Sequence, residues 1–185
     1  WGAHHLDIAQ WGLGMDESGP VEVHPPEDPT ATEGAVLHYR NGVRVIHKDG
    51  FGAHFFGSEG EVKVNRGRIE FWRMGKKLAG FVDKKDEGSL GSTLQKIENE
   101  YLSDAKVKLY RSEDHVGDFI DGVKVRTRPI TNEEVGGRSA ICCHLMNQAY
   151  YNHAVIKWQP EQMQFAPGSG DPAWLTRNYR KPWSV

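Results

Sequence analysis

Ala35-Val-Leu-His-Tyr-Arg40, Asn41-Gly42 and Val43-Arg-Val-Ile-His-Lys48 form the stretch that decides the fold class. From residue 34 the pattern takes on a period of two. Asn-Gly between two such runs is the strongest short-range signal of a β-hairpin, because both residues accept the positive φ a tight turn demands. The same grammar continues outward. Asp49-Gly50 reads as a second turn into a strand over 51–57. Ser58-Glu59-Gly60 leads to a strand over 61–65, and Arg66-Gly67 leads to one over 69–73. Tight turns between short strands predict an antiparallel meander, the sheet of an α+β domain. Upstream, residues 20–24 read as another short strand, and the proline-rich, acidic stretch 25–33 as a loop.

Helices flank the meander. Leu6, Ala9 and Leu13 repeat at spacings of three and four and predict a helix over 2–14, closed by Gly12 and Gly14. Residues 74–91, rich in glycine and lysine, read as a loop or ribbon. A short helix is expected over 92–102, with Leu94, Ile97 and Tyr101 on one face, and a strand over 106–110. Ser112 is placed to cap a helix with Val116, Phe119, Ile120 and Val123 at helical spacing, ended by Arg128-Pro129. Thr131 with Glu134 forms a capping-box pattern for a long helix over 132–153. Its buried face is expected to carry Ala140, Cys143, Met146 or Asn147, and Tyr150. Asp171-Pro172-Ala-Trp174 opens a short helical turn in the tail.

Composition bounds the function. The 185 residues are enough for one domain with a real core, and the charged fraction of 26% is ordinary. A net charge of −2 gives no basic field for nucleic acid or an anionic membrane. No apolar run reaches the ~18 residues of a membrane span. The only cysteines, Cys142 and Cys143, are adjacent, which suits two reduced thiols on a helix rather than a disulfide framework.

The densest chemistry lies in Trp1-Gly-Ala-His-His-Leu-Asp-Ile-Ala-Gln-Trp-Gly-Leu-Gly14. His4 and Asp7, three apart, share a helical face. A carboxylate beside an imidazole fixes the ring's tautomer and favours its charged form, and such a histidine exchanges protons with a substrate hydroxyl. The competing reading is a packed His4 and a locally bonded Asp7. Adjacent His4 and His5 point about 100° apart on a helix, which disfavours a shared metal ion. Trp11 offers a stacking surface for a sugar ring or simply core. His144 lies beside Asn147 and Tyr151 on one helix face. Gly136-Gly137-Arg138-Ser139 lacks the context of a phosphate loop, and no G-x-G-x-x-G occurs anywhere.

The opening stretch resembles the start of the C-terminal domain of the Gfo/Idh/MocA oxidoreductases, nearest to a bacterial dehydrogenase branch with a long C-terminal region. Tyr110 to Pro129, Glu134-Val-Gly-Gly-Arg-Ser139 with His144-Leu145, Trp158-Gln-Pro-Glu161, and Gly170-Asp-Pro to Trp183 resemble further family stretches, in order. The resemblance covers most of the chain, and residues 74–108 are the least family-like. It implies a single domain over 1–185, α+β, with a large, mainly antiparallel sheet and helices packed on one face, like the C-terminal domains of dihydrodipicolinate and glyceraldehyde-phosphate dehydrogenases. It implies a Rossmann domain, binding NAD or NADP, outside these residues, so that the chain is a piece of a longer protein and inactive alone. The family's D-x-x-x-H motif puts its catalytic histidine at His4, with the motif's Asp just ahead of Trp1. Asp7 is then the group that orients His4, and His5, Trp11, Arg138 and His144 become candidate substrate contacts. The implied substrate is a sugar, polyol or related hydroxyl compound, and the implied partner a second copy meeting the open sheet face. An NAD-dependent glycoside-cleaving relative and a non-catalytic carbohydrate-binding or interaction module are the alternatives. Localisation stays open between cytoplasm and periplasm.

Overall fold

The computed structural model describes residues 2–108, 110, 112–177 and 179–183. The chain divides into two compact units, residues 1–49 with 133–185, and residues 50–132. The protein is α+β, but the expected single sheet is two antiparallel sheets, one in each unit.

The first unit begins with helix α1 (Gly2–Gly12). Strands β1 (Glu22–His24), β2 (Val36–His38) and β3 (Arg44–Ile46) follow. The hairpin at Asn41-Gly42 forms, though not as the two-residue turn that the dipeptide suggests. Gly42 N–H donates to Tyr39 O at 3.0 Å, Tyr39 N–H donates to Val43 O at 2.9 Å, and only Gly42 has positive φ, at 85°. That is a three-residue loop in which Gly42 supplies the left-handed step. Asp49-Gly50, by contrast, makes no hairpin. Gly50 has φ 154°, and Asp49 N–H donates to Glu33 Oε2 at 2.7 Å, so the chain leaves the sheet here.

The expected strands are therefore shared between two sheets. Strand β4 (Ala53–Phe56) opens the second, followed by β5 (Gly60–Asn65), β6 (Arg68–Arg73) and β7 (Lys76–Phe81), in that spatial order. Of the loop or ribbon expected over 74–91, residues 76–81 form strand β7. Met74 and Gly75 both take positive φ and make the turn that folds residues 76–81 back onto β6.

One face of this second sheet packs on helix α2 (Leu90–Lys96) and the π-helical turn Ile97–Tyr101. Ile69, Phe71 and Ile97 are its buried centre, and Phe71 stacks on Tyr101 with ring centroids 5.7 Å apart. Ser89 caps α2 in a capping box with Ser92, while Leu94 is exposed and Ile97 is buried. The expected strand over 106–110 does not form at 106–108 or 110, and Leu109 lies outside the described residues. Helix α3 (His115–Val125) is capped by Asp114 rather than Ser112. The Asp114 carboxylate accepts from the N–H groups of Val116 and Gly117, a stronger cap than a hydroxyl two residues further out. Its apolar row, Val116, Phe119, Ile120 and Val123, is 44–59% exposed.

The first unit closes with helix α4 (Glu133–Asn152), β8 (Ile156–Gln159) and β9 (Gln164–Phe165). Its sheet runs β3-β2-β1-β8-β9. α1 and α4 pack against each other, and α4 lies on β1 and β2. The buried stripe of α4 is Cys142, Leu145, Met146 and Ala149: Met146 is buried as expected, while Cys142 and Ala149 are buried in place of Cys143 and Tyr150, which are half-buried. It meets Val23, Leu37 and Ile156, all fully buried. Glu22, His24, His38, Arg44 and Lys157 alternate with these core residues, as a sheet with one wet face requires. The tail forms the expected turn as a 3-10 helix, Pro172–Leu175, capped by the Asp171 carboxylate.

Leu37 is completely buried, whereas Phe119 is 59% exposed. Leu37→Ala should lower the unfolding free energy by about 2–5 kcal/mol. Phe119→Ala should change it by less than about 0.5 kcal/mol. Urea titration followed by fluorescence of Trp158, itself buried in the same core, measures the first. Circular dichroism at 222 nm measures the second. A larger loss from Phe119→Ala would show that α3 is covered.

Candidate functional site

α1 owes its position to its inner face and its C-terminal end. Leu6, Ala9 and Gln10 are buried. Gly14 takes φ 65°, Gly14 N–H donates to Trp11 O, and Met15 N–H donates to Gln10 O at 2.8 Å. This pattern of a left-handed glycine with nested bonds is a Schellman stop, as Gly12 and Gly14 suggest from sequence. The Gln10 side chain then ties down the following loop. Its Nε2 donates to Met15 O at 3.0 Å and Ser18 O at 3.2 Å, and its Oε1 accepts from Tyr39 Oη at 2.6 Å. Behind Tyr39 stands Cys142, whose thiol is pushed up to about 12 by burial. It is an inert core group rather than a nucleophile, and both cysteines are free thiols.

His4 is exposed near the start of α1, and His5 is half-buried. Asp7, one turn after His4, is half-buried, and its Oδ1 accepts a 2.8 Å hydrogen bond from Ser139 Oγ on α4. Ser139 is only 4% exposed. Trp11, the candidate stacking residue, is 38% exposed. Arg138 is 7% exposed and turned inward. Its Nε and Nη2 donate to Glu134 Oε1 at 3.2 and 2.8 Å, and its Nη1 donates to Pro160 O at 2.8 Å. Those bonds clamp α4 to the end of β8. His144 is exposed on α4, five residues beyond Ser139. Asp7 and Ser139 are thus brought together, and Arg138 sits beside Asp7's partner but faces the other way.

Ser139, Gln10 and Asp16 complete this region and were not singled out from sequence. The signal for Ser139 was available only as a polar residue inside an apolar helical stripe, and its partner lies 132 positions away. Asp16 follows the Schellman stop, and its Oδ1 is buried without a hydrogen-bond partner among the described residues. Burial raises its carboxyl above the usual range, and the negative charges of Asp7 and Glu17 add to the effect. A concave surface of about 310 Å³ lies past the C-terminal end of α1, lined by Met15, Ser18, Gly19, Val21, Arg40 and Asn41. His4 stands at the other end of the helix.

A second polar cluster occupies the outer face of the first unit's sheet. His24 Nε2 lies 2.5 Å from Glu22 Oε1, and the His24 and His38 rings are 4.5 Å apart. Burial lowers the proton affinity of His38, and neighbouring His24 and Arg44 lower it further against the pull of Glu22. Among the described residues no group of three or more His, Cys, Asp or Glu side chains is arranged to hold a metal ion. No helix among them is long and apolar enough to cross a membrane. The described residues do not form a Rossmann-type dinucleotide crevice. Every strand pair is antiparallel, whereas the dinucleotide crevice is built at the ends of parallel strands joined by helices.

No known family, curated protein or solved structure matches the chain.

Asp16 supplies a pH test of this geometry. A carboxyl whose pKa is raised on folding contributes stability below its unfolded pKa, and loses that contribution as pH rises through the folded value. Asp16→Asn should therefore raise the melting temperature at pH 7, and the gain should vanish below about pH 3. Thermal denaturation of both proteins from pH 3 to 8 checks this. A variant less stable at pH 7 than at pH 3, relative to the parent, contradicts the assigned environment.

Proposed function

We propose that these residues form the substrate-binding and oligomerisation domain of an NAD(P)-dependent oxidoreductase of the Gfo/Idh/MocA type. The substrate is a sugar, polyol or related hydroxyl compound. The observation that carries this reading is α1 itself: it is anchored along its inner face, exposes His4, and holds Asp7 one turn away through a buried serine. A proton-transfer group must be reachable by substrate yet fixed in place, and a helix end seated on a packed core meets both needs. The first unit's five-stranded antiparallel sheet, with α4 packed on it, is compatible with a helix-backed sheet of that type.

In this reading His4 accepts the proton of the substrate hydroxyl as that carbon is oxidised, and Asp7 steadies the ring. His5, next to His4, and Trp11, two turns further along α1, are substrate contacts, with His144 a further candidate on α4. Arg138 acts by holding α4. NAD or NADP is held by a part of the protein outside these residues.

A non-catalytic interaction module is the second reading, favoured by the exposed apolar row on α3. His4→Asn in the full-length protein separates the two. The enzyme reading expects a loss of about 10²–10⁴ in kcat. It also expects a cofactor Kd within about twofold of the parent, since the variant lies outside the cofactor cradle. NAD(P)H formation from a panel of sugars and polyols is the assay. Undiminished turnover by His4→Asn would sink the assignment of His4.

A further inference from the structure

The side chain that joins α1 to α4 at the candidate site is Ser139. It is 4% exposed, its hydroxyl donates to Asp7 Oδ1 at 2.8 Å, and the two residues lie 132 positions apart in the chain. A buried hydroxyl normally finds its acceptor on its own helix, at the carbonyl four residues back. Ser139 instead reaches a carboxylate on another element. The neighbouring Arg138 is held to Glu134 and to Pro160 O, so α4 is fixed on the side of β8 at the position next to the one that reaches α1. The hydroxyl is thus presented to Asp7 from a rigid support.

Two features make this more than a helix–helix clip. First, Asp7 follows His4 by three residues on α1, a spacing that puts both side chains on one flank of the helix. Second, the Ser139 bond restrains Asp7 Oδ1, and a carboxylate has a second oxygen with acceptor capacity of its own. An imidazole's tautomer and orientation are set by the partner of one ring nitrogen, and a partner that swivels does that badly.

We propose that Ser139 is a positioning residue: by holding the Asp7 carboxylate it sets the orientation and tautomer of the His4 ring. The inference rests on the reading of His4 as the proton-transfer group, but its test does not need turnover. Full-length protein labelled with ¹⁵N at histidine gives long-range imidazole spectra, and His4→Asn identifies the His4 signals by their loss. Ser139→Ala and Asp7→Asn should shift the His4 tautomer balance in the same direction. Asp7→Asn combined with Ser139→Ala should go no further than Asp7→Asn alone, and Ser139→Thr, which keeps the hydroxyl, should stay with the parent. In turnover, Ser139→Ala should lower kcat about ten- to hundredfold, with KM within about twofold.

Thermal melts confirm that each variant is folded at the temperature of measurement. An unmoved His4 spectrum in folded Ser139→Ala overturns the inference, as does a response to Ser139→Ala that survives in the Asp7→Asn background. Ser139→Thr behaving like Ser139→Ala also overturns it. If the spectra respond as expected while His4→Asn turns over at the full rate, the positioning role stands and the assignment of His4 as the acid–base group falls.

Discussion

The first unit depends on how α4 lies across its sheet. Cys142, Leu145, Met146 and Ala149 press a narrow apolar stripe onto Val23, Leu37 and Ile156, and the next residues around the helix are polar anchors. Small side chains at 142 and 149 let the helix approach the strands closely, and Ala149 and Cys142 have no exposed surface at all. Once that stripe is seated, Ser139 must face α1 and Arg138 must face the end of β8. The polar bonds on either side of α4 follow from the rotation that burying the stripe imposes.

The same rotation governs Tyr150. Its hydroxyl accepts from Ala35 N–H at 3.0 Å and pairs with His47 Nδ1 at 2.7 Å, so the end of α4 closes over the β2–β3 hairpin. Tyr39 does the equivalent from the sheet side through Gln10. The hydroxyls of Tyr39, Ser139 and Tyr150 find partners far away in sequence. Such bonds add modest net stability, but an unpaired partner left behind would cost more, and this makes the arrangement specific. The candidate site inherits that specificity, because Asp7 is held by one of these long-range bonds.

The second unit is organised more locally. Its four strands are consecutive, its turns are tight, and its α2 cap is made by residues three apart. Sequence-local contacts of this kind are legible from turn residues and alternation, and β4, β5 and β6 fall close to where the pattern predicts them. β7 escaped because Lys76-Lys-Leu-Ala-Gly-Phe81 carries little alternation, and its pairing with β6 shifts at Phe71/Trp72. The helical spacing of α3 is real as well. Its spacing specified a helix, but spacing carries no information about whether a partner surface covers it.

By itself the sequence determined the α+β class, the hairpin at residues 39–43, the glycine stop of α1, the existence of α4 and the turn at Asp171. Each of these rests on the backbone preferences of a few neighbouring residues. Only the tertiary structure decided that the meander divides between two sheets, because Gly50 at φ 154° is compatible with either a turn or an exit. It alone selected the Cys142 stripe over the Cys143 stripe. Both have helical period, and a shift of one residue, about 100° of rotation, is fixed by volume fit against the strands. That choice also turned the guanidinium of Arg138 inward and brought Ser139 to Asp7. His4 and Asp7 lie three apart on one helix, but the residue that bonds Asp7, Ser139, lies on another. Local spacing contains nothing that points to it.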